Sequence, residues 1–494
     1  MKHEDSLFQE EVNKGVELFK INKFDEATKI FDLLKEKNDT KIISLFFLGL
    51  IQTKKKNPKL AKENFFQILK IDQDHEDTNL SLGLLYLEEK DFNNALIYLK
   101  KVLIINKKNF NAIYHLGLVQ FYLRKLDESL DFFNKCIEVN KDHFQSYLML
   151  GHIYLRKKEF DKAVNNYKKV LDLNPQRERT KFNLSWCYFA LLKFEQAFEY
   201  YEFRKEKMIP KGRYLEVINK FKSNEWNGQN LDNKTILIIC EQGYGDNINF
   251  FRYLFWLNDK FKVKIIFYSH EKLEHLFKNS PFQIVSNLNS VNNIDYHQHL
   301  LSLPGIYYKE SKKFQKNINY IPVNEITDSK WGKKLNEFKK PIIALSWQGD
   351  SRYSHDDMRS IPLSYYKDIL NNKNFNFISL QKNFGSEQIK LNNFENFLID
   401  LSNEIDLGEN AFEDTISILK KVNYLITSDT AIAHLAGTLD VKTYLLLSFN
   451  PEWRWHIELK YKCFYPNINI IQQKDFNDWG GVFKKLKDDL EINK

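Results

Sequence analysis

The chain reads as an α-helical solenoid followed by an α/β region of two facing, doubly wound halves, and three observations predict it. A small residue returns every 34 positions, at Gly15, Gly49, Gly83, Gly117, Gly151 and Ser185. Two further series keep that period: Ala27, Ala61, Ala95, Ser129, Ala163, Ala197, and Phe31, Phe65, Leu99, Phe133, Tyr167, Tyr201. Beyond residue 233 the period changes to short apolar runs alternating with helical stretches, the mark of buried parallel strands in βαβ units. At 494 residues the chain is too long for a single core.

The first region spans 8–211 as six helix–turn–helix units, each with a first helix lining a concave groove and a second on the outside. The 34-residue unit with these small and large positions resembles the tetratricopeptide repeat. The small residues let the two helices of a repeat approach closely, and the aromatic series is expected to fill the gap between neighbouring repeats. Leu48, Leu82, Leu116, Leu150 and Leu184 read as core within repeats, and Pro175 as a helix stop. Such arrays bind peptides or partner proteins. Tyr114, Phe121, His152 and Trp186 are candidates for the groove, with packing between repeats as the alternative. Protein O-GlcNAc transferases also join such repeats to a catalytic half and line the groove with a recurring Asn. Here those positions hold Asn13, Phe47, Ser81, His115, Met149 and Asn183, so their mode of peptide binding is not implied. Asp72-Gln73-Asp74 falls at a repeat boundary and reads as a solvated turn rather than a metal site.

The segment 212–233 is polar and reads as a connector. The first half, 234–340, opens with an apolar strand at Ile236–Cys240, the loop Glu241-Gln242-Gly243-Tyr244-Gly245-Asp246, and a helix from Asn247 to Asn258. A strand at 262–269, a helix at 270–279 and a strand at 282–286 follow. The second half, 341–494, carries strands at Ile342–Trp347, Phe375–Leu380, Tyr424–Thr427 and Val441–Leu447. Ligands of such sheets bind outside the carboxyl ends of the strands. The segments found there are EQGYGDNINFFRYL (241–254), LSWQGD and MRSIP (within 345–362), SDTAIAHLAG (428–437) and FNPEWRW (449–455), joined by YHQHLLSLP (296–304).

Together these five segments resemble the heptosyltransferase-like glycosyltransferases (family 9, GT-B fold), in the bacterial subgroup that carries N-terminal tetratricopeptide repeats. The resemblance covers roughly 234–480. It implies transfer of a sugar from a nucleotide-sugar donor to an acceptor hydroxyl, with inversion and without an essential metal or cofactor. The acceptor would be a glycan, lipid-linked or protein acceptor, with the repeats recruiting it or a protein partner. Gln472-Gln473 stands where the subgroup often has Arg-Gln, and Tyr244 is bulky between its glycines.

Each site residue carries two readings. Gly243 and Gly245 permit a tight strand-to-helix turn. Asp246 opens the next helix, as an N-cap or as the general base that takes the acceptor proton. Asp429, Thr430 and Ala431 begin a helix whose free amides and dipole suit a diphosphate; capping is the alternative. His434, one turn on, faces the same ligand or is a packed side chain. Arg359, with Lys382 in reserve, is the cation for the leaving diphosphate, or an ordinary exposed charge. Asn450 to Trp455 shapes the sugar or acceptor end, with Trp453 and Trp455 as core in the other reading.

Composition bounds the rest. Hydrophobic residues at 43% and aromatics at 15% fill large cores and exclude global disorder. A net charge of +8 over this length permits an acidic ligand or anionic membrane surface and does not call for nucleic acid. Cys136, Cys187, Cys240 and Cys463 are dispersed with no CxxC, which points to a reducing cytosol and no metal or disulfide framework. MKHEDSLFQEE is too polar for a signal peptide, and the apolar run Ile42–Ile51 is too short to span a bilayer. The expected location is cytoplasmic, extending to the inner membrane face. The rival function is a repeat scaffold whose transferase fold has lost turnover and binds nucleotide or glycan. A Rossmann oxidoreductase fits poorly, since the loop is not GxGxxG.

Overall fold

A computed structural model describes residues 2–205, 211–352, 356–462 and 464–492, with the side chains of 2–8, 211, 357 and 492 outside the description; Cys463 lies outside the described residues. The chain divides into two units, Met1–Arg177 and Glu178–Lys494.

The first unit is a helical solenoid of paired helices: Lys2–Lys20 with Phe24–Leu34, Asn38–Lys54 with Pro58–Ile71, Glu76–Glu88 with Phe92–Ile105, Phe110–Tyr122 with Leu126–Val139, and Phe144–Arg156 with Phe160–Leu173. The small series is explained by close approach. A Cβ added to Gly15, Gly49, Gly83, Gly117 or Gly151 would stand no more than 2.9 Å from Phe31, Phe65, Leu99, Phe133 or Tyr167, respectively. The large residue therefore covers the glycine of its own repeat, which corrects the expectation that it serves only the gap between repeats. Phe31 does both, since its ring also stacks on Phe47 of the next pair at 5.1 Å. Ser129 keeps the small register and donates its hydroxyl to the Gly117 carbonyl at 2.8 Å.

A further series with the same period has no glycine to announce it. The first helix of each pair is followed by a left-handed residue: Asn22, Lys56, Lys90, Arg124 and Lys158, and in the second unit Leu192, with φ from 58° to 63°. The next amide reaches back five residues, as Lys23 to Leu18 and Asp91 to Tyr86, both at 2.9 Å. This is the Schellman closure of a helix end.

Three of the groove candidates pack within the array. Tyr114 lies against Phe133 and His143, Phe121 sits under the Arg156 guanidinium at 4.0 Å, and His152 Nδ1 meets the Tyr167 hydroxyl at 2.8 Å. Asp72 Oδ1 accepts the Asp74 amide at 3.0 Å, a local turn.

The second unit holds two parallel sheets. One contains β1 (Asn224–Glu225), β2 (Thr235–Ile239), β3 (Lys264–Tyr268), β4 (Gln283–Val285) and β5 (Tyr296–His299), in the order β1-β5-β2-β3-β4. The other contains β6 (Ile342–Ser346), β7 (Asn376–Ser379), β8 (Ile399–Asp400), β9 (Tyr424–Ser428), β10 (Thr443–Leu447) and β11 (Ile468–Gln472), in the order β11-β10-β9-β6-β7-β8. β2, β6, β9 and β10 are buried along nearly their whole length, as strands covered on both faces must be. Strand order reverses between β2 and β5 in one sheet and between β6 and β9 in the other. The loops after these strands are where a crevice opens in such sheets.

Two expected boundaries need correction. The segment 212–233 is not an irregular connector. It contains most of helix Lys211–Phe221, whose Val217 is buried against Leu237 and Ile239, and edge strand β1. The break does not fall at 211. The sixth helix pair, Glu178–Ala190 and Phe194–Tyr201, belongs with the sheets. The cause is an aromatic joint around Trp453, whose ring stacks on Phe189 at 4.2 Å and on Phe250 at 5.6 Å, with Phe198 and Tyr201 at its edges. Just beyond, buried Arg204 forms a two-armed pair with Glu241, at 2.7 and 3.2 Å, and donates to Ser302.

Candidate functional site

The loop leaving β2 turns at Gln242 (φ 59°) into helix Tyr244–Phe250. Asp246 is not the N-cap of this helix, which starts earlier than expected: Gly243 is the N-cap, and Asp246, the third helical residue, accepts the Gly243 amide on Oδ2 at 3.0 Å. Its other oxygen faces the second sheet. There the chain leaving β10 carries Glu452 and enters helix Trp453–Tyr461, and Arg454 Nη2 comes within 2.9 Å of Asp246 Oδ1. The same amino group pairs with Glu452. The two halves are thus joined by an ion pair at their carboxyl-end faces. Asp246 and Arg454 are only 8% and 7% exposed.

Gly245 explains how the halves come so near. A Cβ there would lie 2.8 Å from His434 Cδ2 and 3.2 Å from the Ala431 backbone. Gly245 lies inside helix Tyr244–Phe250 and serves the approach of one helix start to the other, in place of the turn expected of it, which Gln242 makes. At Gly243, where φ is −81°, the nearest atom to an added Cβ is Asp246 Oδ2 at 3.3 Å.

The helix Ala431–Thr438 follows β9 through Asp429 and Thr430. Thr430 occupies the N-cap position in extended conformation and makes no side-chain capping bond. The first amides of this helix are thus uncapped by it, as an anion-binding start requires. Asp429 is half-buried. Burial pushes its carboxyl up, as it does that of Asp246, against the pull of Arg454 and Arg359 on both. Burial raises Glu452 most plainly, to about 8, with Arg454 opposing and the Asp246 and Asp429 charges reinforcing. The site therefore holds three carboxyls, two guanidinium groups and a retained proton near neutral pH.

Arg359 reaches this field from the loop after β6. Its Nε donates to Asp356 at 3.0 Å, and Gly349 leaves the space its guanidinium occupies. Lys382 goes elsewhere: its ammonium donates to the carbonyls of Ile405 (2.7 Å) and Asp406, pinning that loop. His434 is buried, stacked on Trp455 at 4.8 Å, and bonded through Nδ1 to the Tyr465 hydroxyl at 3.0 Å. Burial holds its imidazole well below its ordinary pKa, hence neutral. The packed reading of His434 fits this geometry. Trp453 and Trp455 are both core.

The structure brings Asp246, Asp429, Thr430, Ala431 and Arg359 toward one place and leaves Lys382 outside it. It adds Arg454 and Glu452, which the sequence placed only as part of the Asn450–Trp455 segment, with no role of their own. The signal available was a Glu and an Arg interleaved with tryptophans in PEWRW at a strand end, where charged residues among buried aromatics imply partners.

Residues 77–109, 110–143 and 144–177 match the tetratricopeptide repeat family. No curated protein matches the chain. Among solved structures, MamA is 25% identical, covering 33% of this chain and 94% of its own, with a TM-score of 0.31. PilF of Pseudomonas aeruginosa is 16% identical, covering 44% and 99%, with a TM-score of 0.38. YrrB, described as a TPR protein with an unusual peptide-binding site, is 22% identical, covering 34% and 88%, with a TM-score of 0.32. The N-terminal part is thus a tetratricopeptide-repeat solenoid, a class of array that binds protein or peptide partners. Among the described residues, no helix is long and apolar enough to cross a membrane.

Proposed function

We propose that the second unit is an inverting, metal-independent glycosyltransferase of the heptosyltransferase-like GT-B kind. It moves a sugar from a nucleotide-sugar to an acceptor hydroxyl on a glycan, lipid-linked or protein acceptor. The repeats recruit the acceptor or a protein partner. The observation that carries the reading is the Asp246–Arg454 pair, which joins the carboxyl-end faces of two parallel sheets with Asp429 and Arg359 in the same field.

The chemistry follows from these groups. The acceptor oxygen attacks the anomeric carbon while its proton passes to Asp246. The bond from that carbon to the diphosphate breaks, and its electron pair leaves with the diphosphate. A carboxyl raised by burial is a better proton acceptor at neutral pH than an ordinary one. Arg359 and the uncapped amides at the start of helix Ala431–Thr438 face the charge that develops on the leaving group.

A second reading, a scaffold that binds nucleotide or glycan without turnover, draws on one observation. One oxygen of Asp246 accepts the Gly243 amide, and the other lies in an ion pair 2.9 Å from Arg454. Two measurements separate the readings. Calorimetry in EDTA should detect binding of UDP, ADP or GDP; no binding of any refutes the nucleotide site. With a productive donor, Asp246→Asn should not weaken donor binding and should lower turnover by roughly 10²–10⁴. Binding without transfer or hydrolysis of any nucleotide-sugar by the native protein makes it a scaffold.

A further inference from the structure

The Arg454 guanidinium is held in an unusual way. Its Cζ lies over the rings of Trp453 and Phe250, 5.3 and 5.6 Å from their centroids. One amino group meets Asp246 and Glu452. Its Nε and its other amino nitrogen are buried and have no hydrogen-bond partner. Buried donors are ordinarily satisfied, and a guanidinium with two idle nitrogens is the exception. Each planar fork of a guanidinium that matches two oxygens of a phosphate joins one of these idle nitrogens to Nη2, the amino group that Asp246 and Glu452 hold.

We propose that Arg454 is the phosphate receptor of this site and that Asp246 and a ligand's diphosphate compete for it, so that ligand binding draws Arg454 away and frees the Asp246 carboxylate. The proposal rests on the nucleotide-sugar reading for the identity of the ligand, and on the geometry alone for the receptor. In the structure described, Arg454 closes the site: it neutralises the base and ties one half to the other. A diphosphate offers the guanidinium more charge and a bidentate geometry that a single carboxylate oxygen at 2.9 Å does not provide. The base is then uncovered only once the donor is in place.

The competition gives the test its sign. The dissociation constants of UDP, GDP, ADP and inorganic pyrophosphate are measured by calorimetry for the full chain and for Asp246→Asn, Arg454→Lys, Arg454→Gln and the double variant Asp246→Asn/Arg454→Gln. Asp246→Asn should tighten binding several-fold, because the competitor is gone while Gly243 can still be capped. Arg454→Gln should weaken it at least tenfold, and Arg454→Lys by less. The double variant should lose the tightening. Tightening cannot be produced by misfolding, so it stands even if Arg454→Gln is unstable. If the native protein binds these probes and Asp246→Asn leaves affinity unchanged or lower, the competition is refuted. If pyrophosphate binds through Arg454 but no nucleotide does, the receptor stands and the nucleotide-sugar reading falls. If neither binds, both fall.

Discussion

Replacing Gly245 by Ala adds one methyl at the closest approach of the two halves, and the structure sets what it should cost. The new Cβ would lie 2.8 Å from His434 Cδ2 and 3.2 Å from the Ala431 backbone. Neither neighbour yields readily. The imidazole is stacked on Trp455 and bonded to Tyr465, and Ala431 is the first residue of a helix. Overpacking of this kind costs about 1–3 kcal/mol. Against it, Ala in place of Gly in a helix contributes at most about 1 kcal/mol. The net expectation is a loss of about 2 kcal/mol, from an overpacking term near the top of its range. For a unit of roughly 300 residues, an unfolding entropy of about 2.1 cal/mol/K per residue makes that a fall of about 3 °C in Tm. Gly243→Ala is the internal control. Its φ of −81° is ordinary, and its nearest obstacle is a carboxylate oxygen at 3.3 Å, so its change should stay within about 0.5 kcal/mol. Differential scanning calorimetry of both variants decides the matter. Gly245→Ala with native stability, or Gly243→Ala as the more damaging of the two, would refute the close-approach account of this loop.

Other consequences follow from single sites. Lys90 is exposed and left-handed (φ 62°), so Lys90→Gly should stabilise the solenoid by about 0.5–1 kcal/mol in denaturant melts, where a loss would count against the strain. Glu452, raised from 4.5 to about 8 by burial, favours the folded state fully below its ordinary pKa, and that contribution disappears as pH rises through about 8. The native protein should therefore lose Tm between pH 5 and 8 relative to Glu452→Gln, and parallel profiles would refute the raised carboxyl. Glu202 has the opposite sign: Arg204 and Lys205 hold it at about 2 against burial, so its contribution is present above 4.5 and lost as pH falls toward 2. Trp453→Ala should cost about 3–5 kcal/mol and remove hydrogen-exchange protection from helix Glu178–Ala190, because Phe189 loses its stacking partner. Unchanged protection there would return the sixth helix pair to the solenoid.

The periodic part of this protein was legible in the sequence, because a repeat writes the same local contact at a fixed spacing. Gly49 and Phe65 announce each other 16 residues apart, and a small and a large residue recur at that spacing in each unit. The left-handed turns were hidden, since Lys, Arg, Asn and Leu stand where Gly would have signalled them. The short edge strands β1, β8 and β11 lack the buried apolar runs that mark β2 and β10 and escaped for that reason. In the site, Asp246 and Asp429 could be found because each follows a buried strand and opens a helix. What these carboxyls face depends on side chains from other elements, Arg454 for Asp246 and Arg454, Arg359 and Trp455 for Asp429, and no local pattern encodes such partners. Only the tertiary structure decided that Arg454 meets Asp246, that Lys382 ties a loop, and that Gly245 admits His434. It also decided that the sixth helix pair packs with the sheets, because the burial of Trp453 between Phe189 and Phe250 outweighs the continuity of a repeat register that the sequence writes without a break.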